Sequence, residues 1–284
     1  NAPNCMIFLP VGASAPNNNV AFKTQSGIFR AAHNIVLTDE EPFYSPYDIT
    51  VDAGAYVLYD RKVTTRYKDS EDVDKASIIM PFEFVVNNVI YTDPDSNQPA
   101  FSLHTMQATN CLTDNSEDPE YEYDDATAFA FCPKIEAVTN KTEANKPYIL
   151  NVIEHSPVEG VSFRVRQKGG TVKATSEMDD SNYLFTGESA TGTSAEANTS
   201  AVTYAFQAYG GYSGKQLDRS STTYFYFANN KFVSSDQLLA SYTTVKAFPF
   251  RGYYVATKNT SGVKGLSELG IIFDEGIGNM DATG

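Results

Sequence analysis

Short runs of aromatic and β-branched residues recur along the whole chain, and turn-forming residues separate them. The region from Thr222 to Lys258 shows this most clearly, because it contains ten aromatic residues, most of them in three apolar runs. Asn229 and Asn230 lie between the first two runs, and asparagine tolerates the positive φ of a tight hairpin turn. The last run suits a pleated, largely buried sheet. The region is therefore predicted to form a hairpin followed by a core strand.

Other segments add further strand patterns. Apolar and polar residues alternate strictly from Val161 to Arg166, which is typical of a half-exposed strand. The segment Ser77–Val86 is almost wholly apolar, as a strand covered on both faces would be, and its Pro81 predicts a bulge, a kink or an edge position. Only residues 234–242 begin like a helix. The predicted fold is all-β with minimal helix, an antiparallel β-sandwich or two packed β subdomains.

Three regions are predicted along the chain: an N-terminal β region (1–145), a C-terminal β region (146–258) and a C-terminal extension (259–284). The second region either completes the first sandwich or forms its own. Alternation also predicts that one of Phe225 and Phe227, and one of Phe248 and Phe250, faces the main core.

Charge and cysteine content narrow the classes of function. The formal net charge is -14, which disfavours a nucleic-acid partner because phosphate binding needs clustered Lys and Arg. No run of eighteen apolar residues is present, so no membrane span is predicted. The three cysteines leave at least one thiol unpaired, and Cys111 and Cys132 are either bridged around an acidic loop or both free.

The sequence carries only weak signals for a catalytic or a metal site. The acidic loop Asp114–Asp125 suits Ca²⁺ in composition, but a solvated loop is the favoured interpretation. The only histidines, His33, His104 and His155, are far apart in sequence. No nucleophile elbow or Gly-rich phosphate loop is present. We therefore predict no catalytic residue, no metal and no cofactor.

Aromatic residues in turns are the better candidates for ligand binding. Tyr209 and Tyr212 flank two glycines, and exposed rings there would stack on a sugar face, as would Tyr121 and Tyr123 in the acidic loop. The alternative is that the turn tyrosines pack back on the sheet, and it is the favoured one. Arg251 is expected to reach a carboxylate or to extend its charged end into solvent.

Several short motifs occur in an order that resembles a β-rich module of secreted and surface proteins of the Bacteroidetes, over about residues 28–258. The matching positions are Leu37-Thr38-Asp39, Pro42-Phe43, Pro81-Phe82, Pro147-Tyr148, Phe250-Arg251 and Tyr253-Tyr254. The Trp that this module has before its Pro-Phe strand is missing here, where Lys75 and Ala76 stand. The resemblance implies a secreted or cell-surface location and no assigned chemistry.

These observations predict a non-catalytic secreted or cell-surface β protein that serves adhesion, display or structural spacing. Its partner would be a surface glycan or another cell-surface protein. A carbohydrate-binding module that uses exposed loop aromatics is the alternative, and a glycoside hydrolase is a distant third.

Overall fold

A computed structural model describes residues 3–14, 16–63, 75–86, 89–91, 101–105, 141–152, 161–175, 185–186, 190–192, 202–218, 224–228, 231–235, 244–258 and 268–269. These residues form nineteen strands and no long helix: β1 (Ile7–Leu9), β2 (Val20–Lys23), β3 (Phe29–Ala31), β4 (Ile35–Thr38), β5 (Ile49–Val63), β6 (Lys75–Ile79), β7 (Val89–Tyr91), β8 (Phe101–Thr105), β9 (Pro147–Val152), β10 (Val161–Val172), β11 (Phe185–Thr186), β12 (Ala190–Gly192), β13 (Val202–Gly211), β14 (Lys215–Asp218), β15 (Tyr224–Ala228), β16 (Lys231–Ser234), β17 (Thr244–Ala247), β18 (Arg251–Lys258) and β19 (Glu268–Leu269). The predicted all-β fold is confirmed.

The first 175 residues supply two sheets that pack face to face. One is seven-stranded in the order β1-β2-β3-β5-β10-β7, with β4 also paired to β5, and the other is three-stranded in the order β6-β9-β8. The rings of Phe101 and Phe163, one from each sheet, lie 4.6 Å apart between centroids. Most pairs are antiparallel, but β1–β2, β3–β5 and β4–β5 are parallel, so the larger sheet is mixed.

Period-two alternation explains how this main core is filled. Phe163 and Val165 of β10 are fully buried and Arg166 is exposed, as the alternation predicts. On β5, Val57, Tyr59 and Arg61 all face inward, so this strand carries a charged residue into the interior.

The apolar segment Ser77–Val86 is only partly a strand. Strand β6 ends at Ile79, and beyond it the carbonyl oxygen of Pro81 accepts a hydrogen bond from the Lys173 amide at 2.6 Å. Phe82 and Phe84 are nevertheless fully buried. The segment is thus covered on both faces only as far as Phe82, because Glu83 and Val85 beyond it are exposed, and Pro81 lies where the regular ladder stops.

The second half forms a seven-stranded sheet in the order β11-β13-β18-β15-β16-β19, with β12 paired to β13, and a two-stranded sheet of β14 and β17. Strands β15 and β16 are an antiparallel pair in which Ala228 faces Lys231, which confirms the predicted hairpin. Phe225 and Phe250 are the buried members of their pairs, whereas Phe227 is half-buried and Phe248 is 40% exposed.

The sequence suggested a regional boundary at residue 145 and left open whether the two regions share one sandwich. Strand β9 pairs with β6 and β10 pairs with β5, so strands on both sides of residue 145 share sheets. The two halves also contact each other. Ser77 Oγ donates to the Gly252 carbonyl and accepts from the Gly252 amide, both at 3.0 Å, and the Ile79 amide donates to the Phe250 carbonyl at 3.1 Å.

Candidate functional site

One antiparallel ribbon runs through both sheets of the second half. Gly211 of β13 faces Arg251 of β18, and four residues further along, Lys215 of β14 faces Ala247 of β17. Residues 212–214 and 248–250 therefore connect the two pairs without any change of register. Between these two pairs the hydrogen-bonded ladder is interrupted, and both segments of the ribbon bend at the same place.

The corner folds the ribbon back on itself. Eight residues of extended strand span roughly 26 Å, yet Tyr209 and Leu217 belong to one small buried cluster with Ala247 and Tyr253. Tyr209 and Tyr253 face each other across the strands, with ring centroids 5.5 Å apart and planes 13° from parallel. The two arms of the ribbon are thus packed over their own aromatic core.

A groove of about 480 Å³ lies in this bend. Its walls combine aromatic rings, backbone from three glycines, and side chains that can donate hydrogen bonds. The lining residues are Tyr209, Gly210, Gly211, Ser213, Gly214, Lys215, Gln216, Ala247, Phe248, Arg251 and Tyr253. Among these described lining residues none is Asp, Glu, His or Cys, so this part of the lining presents hydrogen-bonding groups and apolar surface without a carboxyl group or an imidazole.

Arg251 connects the groove to a buried polar cluster in the first half. Its Nη1 and Nη2 donate to the two carboxylate oxygens of Asp39 at 2.5 and 2.6 Å, and the Tyr59 hydroxyl donates to the same carboxylate at 2.5 Å. Burial alone would raise the pKa of Asp39, but the Arg251 hydrogen bond and the charges of Arg61 and Arg251 lower it overall. The predicted carboxylate partner of Arg251 is therefore Asp39.

A second arginine lies behind this pair. Arg61 is buried, its Nη1 donates to the Ser77 carbonyl at 2.7 Å, and its Nε is 3.8 Å from Asp39 Oδ2. That Nε has no hydrogen-bond partner among the described residues. Burial lowers the pKa of Arg61 to about 10, and the nearby charge of Arg251 acts in the same direction. Two guanidinium groups thus share one buried carboxylate.

Backbone strain borders the ion pair on both sides. Phe250, next to Arg251, has φ +65°, and Glu40, next to Asp39, has φ +64°. A bulky residue in the left-handed region is uncommon and persists only where its surroundings enforce it. The Phe250 ring is fully buried against Tyr59 and Tyr212, with centroids 5.0 and 5.4 Å away, which holds this conformation.

The structure contradicts the expectation that Tyr209 and Tyr212 are exposed. Tyr209 is 8% and Tyr212 is 3% exposed, so both tyrosines pack back on the sheets, which was the favoured alternative. The Tyr212 hydroxyl donates to Asn145 Oδ1 at 2.7 Å, and burial raises the pKa of Tyr212 well above its ordinary value. Tyr212 joins the main core because the ribbon turns at this residue, whereas Tyr209 forms part of the groove wall.

Other predicted features lie outside the described residues. These are Tyr121, Tyr123, the acidic loop Asp114–Asp125, and the pair Cys111 and Cys132, all of which stay predictions. Cys5 is a free, exposed thiol. Within the described ranges, no three His, Cys, Asp or Glu side chains are grouped closely enough to hold a metal ion.

Sequence reasoning missed the polar part of the groove, namely Ser213, Lys215 and Gln216, and missed Phe248 as its exposed ring. A signal was present. The two segments YGGYSGK and AFPFRG are both rich in residues that interrupt strands, and they face each other at the corner of the ribbon. Only the pairing of β13 with β18 shows that they meet.

In the part of the chain that the structure describes, no helix has the length and apolar character needed to cross a membrane. Comparison with protein-family models, with curated proteins and with solved structures gave no match to this chain. The resemblance to the Bacteroidetes surface module therefore stays a prediction.

Proposed function

We propose that this chain is a non-catalytic binding module of a secreted or cell-surface protein, and that it serves adhesion by holding a saccharide in the groove of the bent ribbon. The supporting observation is the groove itself. Sugar sites combine an aromatic face with convergent hydrogen-bonding groups on a largely preformed scaffold. The ring available here is Phe248, which is 40% exposed in the groove wall, and not Tyr212.

The polar lining suits hydroxyl groups. Ser213, Lys215 and Gln216 follow one another around the corner, and at Gly211 there is no side chain to keep a ligand away from the backbone, since the space where a Cβ would lie is open. The lining described above also supports binding over hydrolysis, because a glycosidase needs two carboxyl groups that flank the bond to be cleaved.

The two arms are rigidly held, which favours a preformed site. The Phe250 amide donates to the Gly211 carbonyl at 2.9 Å, and the main core packs against the opposite side of the corner through Tyr212 and Phe250. A site built on packed strands loses little conformational entropy when a ligand binds.

The proposal is tested by thermal-shift screening of the protein against a panel of oligosaccharides. A ligand at 100 times its Kd stabilises the native state by about 2.7 kcal/mol, which raises the melting temperature by roughly 5–10 °C. Phe248→Ala and Gln216→Ala should weaken binding about tenfold each, a loss of ~1.4 kcal/mol.

The matched control is Tyr44→Ala, which removes an aromatic ring that is 63% exposed and lies outside the groove. It should leave binding unchanged. A panel without any stabilising saccharide, or a Phe248→Ala variant with unchanged affinity, would contradict the proposal.

A further inference from the structure

The large mixed sheet of the first half has a basic outer face. Along β5 and β10, side chains alternate between the main core and this face, and residues opposite each other in the register lie on the same side. Those pointing outward, here called the basic face, are Tyr56, Leu58, Asp60 and Lys62 of β5 and Ser162, Arg164, Arg166 and Lys168 of β10. Four cations and one carboxylate give this face a net positive charge, in a chain whose formal net charge is -14.

Three of the four cations are not neutralised within the described part of the chain. Arg164 is neutralised, because its Nε and Nη2 donate to the two carboxylate oxygens of Asp60 at 2.5 and 2.7 Å. Lys62, Arg166 and Lys168 are exposed, and none of them forms an ion pair with another described residue. These three side chains can therefore meet an anion from solution without first breaking a salt bridge.

The three cations form a row along the sheet. Side chains on one face of a strand recur about every 7 Å, so Arg166 and Lys168 are about that far apart along β10. Lys62 lies opposite Ser162, which places it about 14 Å from Arg166 in the other direction. The guanidinium of Arg166 is also held in place, since its Cζ is 4.0 Å from the centroid of the Tyr56 ring. The row is thus about 20 Å long and contains one pre-oriented guanidinium.

An apolar strip lies beside the row. Val36 of β4 is opposite Leu58 in the parallel register, so both side chains point to the outer face together with Tyr56. All three are half-buried. Binding sites combine apolar surface with a few placed polar groups. A sugar ring offers the complement, because its C–H groups form an apolar face and its substituents carry the polar atoms.

We infer that the basic face binds an acidic polysaccharide, with the polymer lying along β10 and its carboxylates beside Lys62, Arg166 and Lys168. A guanidinium can donate two parallel hydrogen bonds to a carboxylate, and Arg164 binds Asp60 in this way on the same face. The row would be met by several sugars of one polymer, so the carboxylate groups act together.

Charge favours a narrow polymer over a broad anionic surface. A lipid bilayer of anionic composition would also approach the rest of this acidic chain and be repelled by it, whereas a single polymer contacts the row alone. No residue of the basic face lines the groove, so this inference does not rest on the proposed function.

The test uses alginate, a linear polymer of uronic acids, and the same polymer after its carboxyl groups have been reduced to alcohols. Isothermal titration of the full chain should show at least tenfold tighter binding of alginate, and added salt should weaken it. Lys62→Gln, Arg166→Gln and Lys168→Gln should each weaken alginate binding about three- to tenfold. The matched control is Lys23→Gln, which removes an exposed cation on β2 and should change nothing.

Two further variants separate charge from geometry. Arg166→Lys keeps the charge but loses the planar fork, so its affinity should lie between those of the wild type and Arg166→Gln. Asp60→Asn removes the carboxylate of the basic face and releases Arg164, so it should tighten alginate binding about two- to tenfold without affecting the reduced polymer.

Equal affinity for alginate and the reduced polymer would overturn the inference. Polyglutamate or single-stranded DNA that binds as tightly as alginate would do the same, because the face would then recognise charge without a sugar. Phe248→Ala, in the groove, should leave alginate binding unchanged, and a loss there would place the polymer in the groove and overturn this inference while supporting the proposed function. No binding of alginate would overturn the inference alone and leave the proposed function standing.

Discussion

Asp39 and Arg251 are 212 positions apart in the sequence, yet their side chains form two parallel hydrogen bonds of 2.5 and 2.6 Å. Their side chains are only 13% and 15% exposed. The pair fastens the corner of the ribbon to the end of β4, so residues of both halves maintain the geometry of the groove.

Removing the charge of Asp39 should be strongly destabilising. Asp39→Asn leaves Arg61 without a carboxylate and Arg251 with only the exposed Glu40, 3.7 Å from its Nη2, and breaking a buried ion pair costs about 3–5 kcal/mol. Urea denaturation measures this loss. The matched control is Asp60→Asn, because the Asp60–Arg164 pair is 40% and 44% exposed and should cost about 0.2–1 kcal/mol. Similar losses in the two variants would contradict the role of the cluster.

The same carboxylate makes stability depend on pH. The folded-state pKa of Asp39 is below its ordinary value, so its contribution to stability is complete above the unfolded pKa of about 3.9 and is lost as pH falls through the folded pKa. The difference in unfolding free energy between the wild type and Asp39→Asn should be constant from pH 7 to 5 and shrink at lower pH. A difference that grows as the solution is acidified would count against this assignment.

Gly210 allows the ribbon to approach β6 closely. A Cβ at this position would lie 2.7 Å from Ile79 Cδ1 and 3.3 Å from the Arg251 carbonyl oxygen, whereas a Cβ at Gly211 would meet nothing within 4 Å. Gly210→Ala should therefore cost about 1–3 kcal/mol through overpacking. Gly211→Ala should be neutral or slightly stabilising, by up to ~1 kcal/mol. Comparison of the two denaturation midpoints checks both, and equal effects would mean that contact with Ile79 is unimportant.

Alanine substitutions of the phenylalanines in the region from Thr222 to Lys258 should differ sharply in their cost to stability. Phe225 and Phe250 are fully buried, and truncation of either to Ala should cost about 3–5 kcal/mol. Phe248→Ala, at a ring that is 40% exposed, should cost far less. Calorimetry of the three variants tests this order. Harmless substitutions at both Phe225 and Phe250 would require a different core.

Tyr212 should behave as a core residue and not as a ligand contact. Tyr212→Ala is expected to destabilise about as much as Phe250→Ala, since its ring packs against Phe43 and Phe250. Tyr212→Phe removes only the hydrogen bond to Asn145 and should cost about 0.5–1.5 kcal/mol. Both losses are measured by chemical denaturation, and a stable Tyr212→Ala variant would restore the ring as a candidate binding group.

The sequence predicted those parts of the fold that depend on local pattern. Alternation from Val161 to Arg166 located β10, and the Asn229-Asn230 turn located the hairpin of β15 and β16. The site depends on pairing between distant strands, for which a single sequence carries little information. The glycines around Tyr212 indicate a turn, but the local pattern does not show the direction in which the ribbon turns, and that direction decides whether this ring meets solvent or the main core.

The environments of the charged residues also depend on pairing between distant strands, which the sequence alone does not show. Arg61 occupies an inward position of β5, where alternation alone would predict an apolar side chain, and its burial depends on Asp39, which follows β4, and on Ser77 of β6. The sequence offered a carboxylate as one of two environments for the Arg251 side chain, without indicating which carboxylate. Its identity required the parallel pairing of β4 with β5, which places Asp39 beside Tyr59.

The unbroken register through the corner has a consequence for insertions and deletions. Residues 212–214 and 248–250 have equal length, and the strand pairs on both sides of the corner stay aligned only while this equality holds. One residue added to one side would turn every following side chain to the opposite face of its strand. One residue added to each side would restore the alignment and enlarge the groove. Homologous chains should therefore change the lengths of these two segments together.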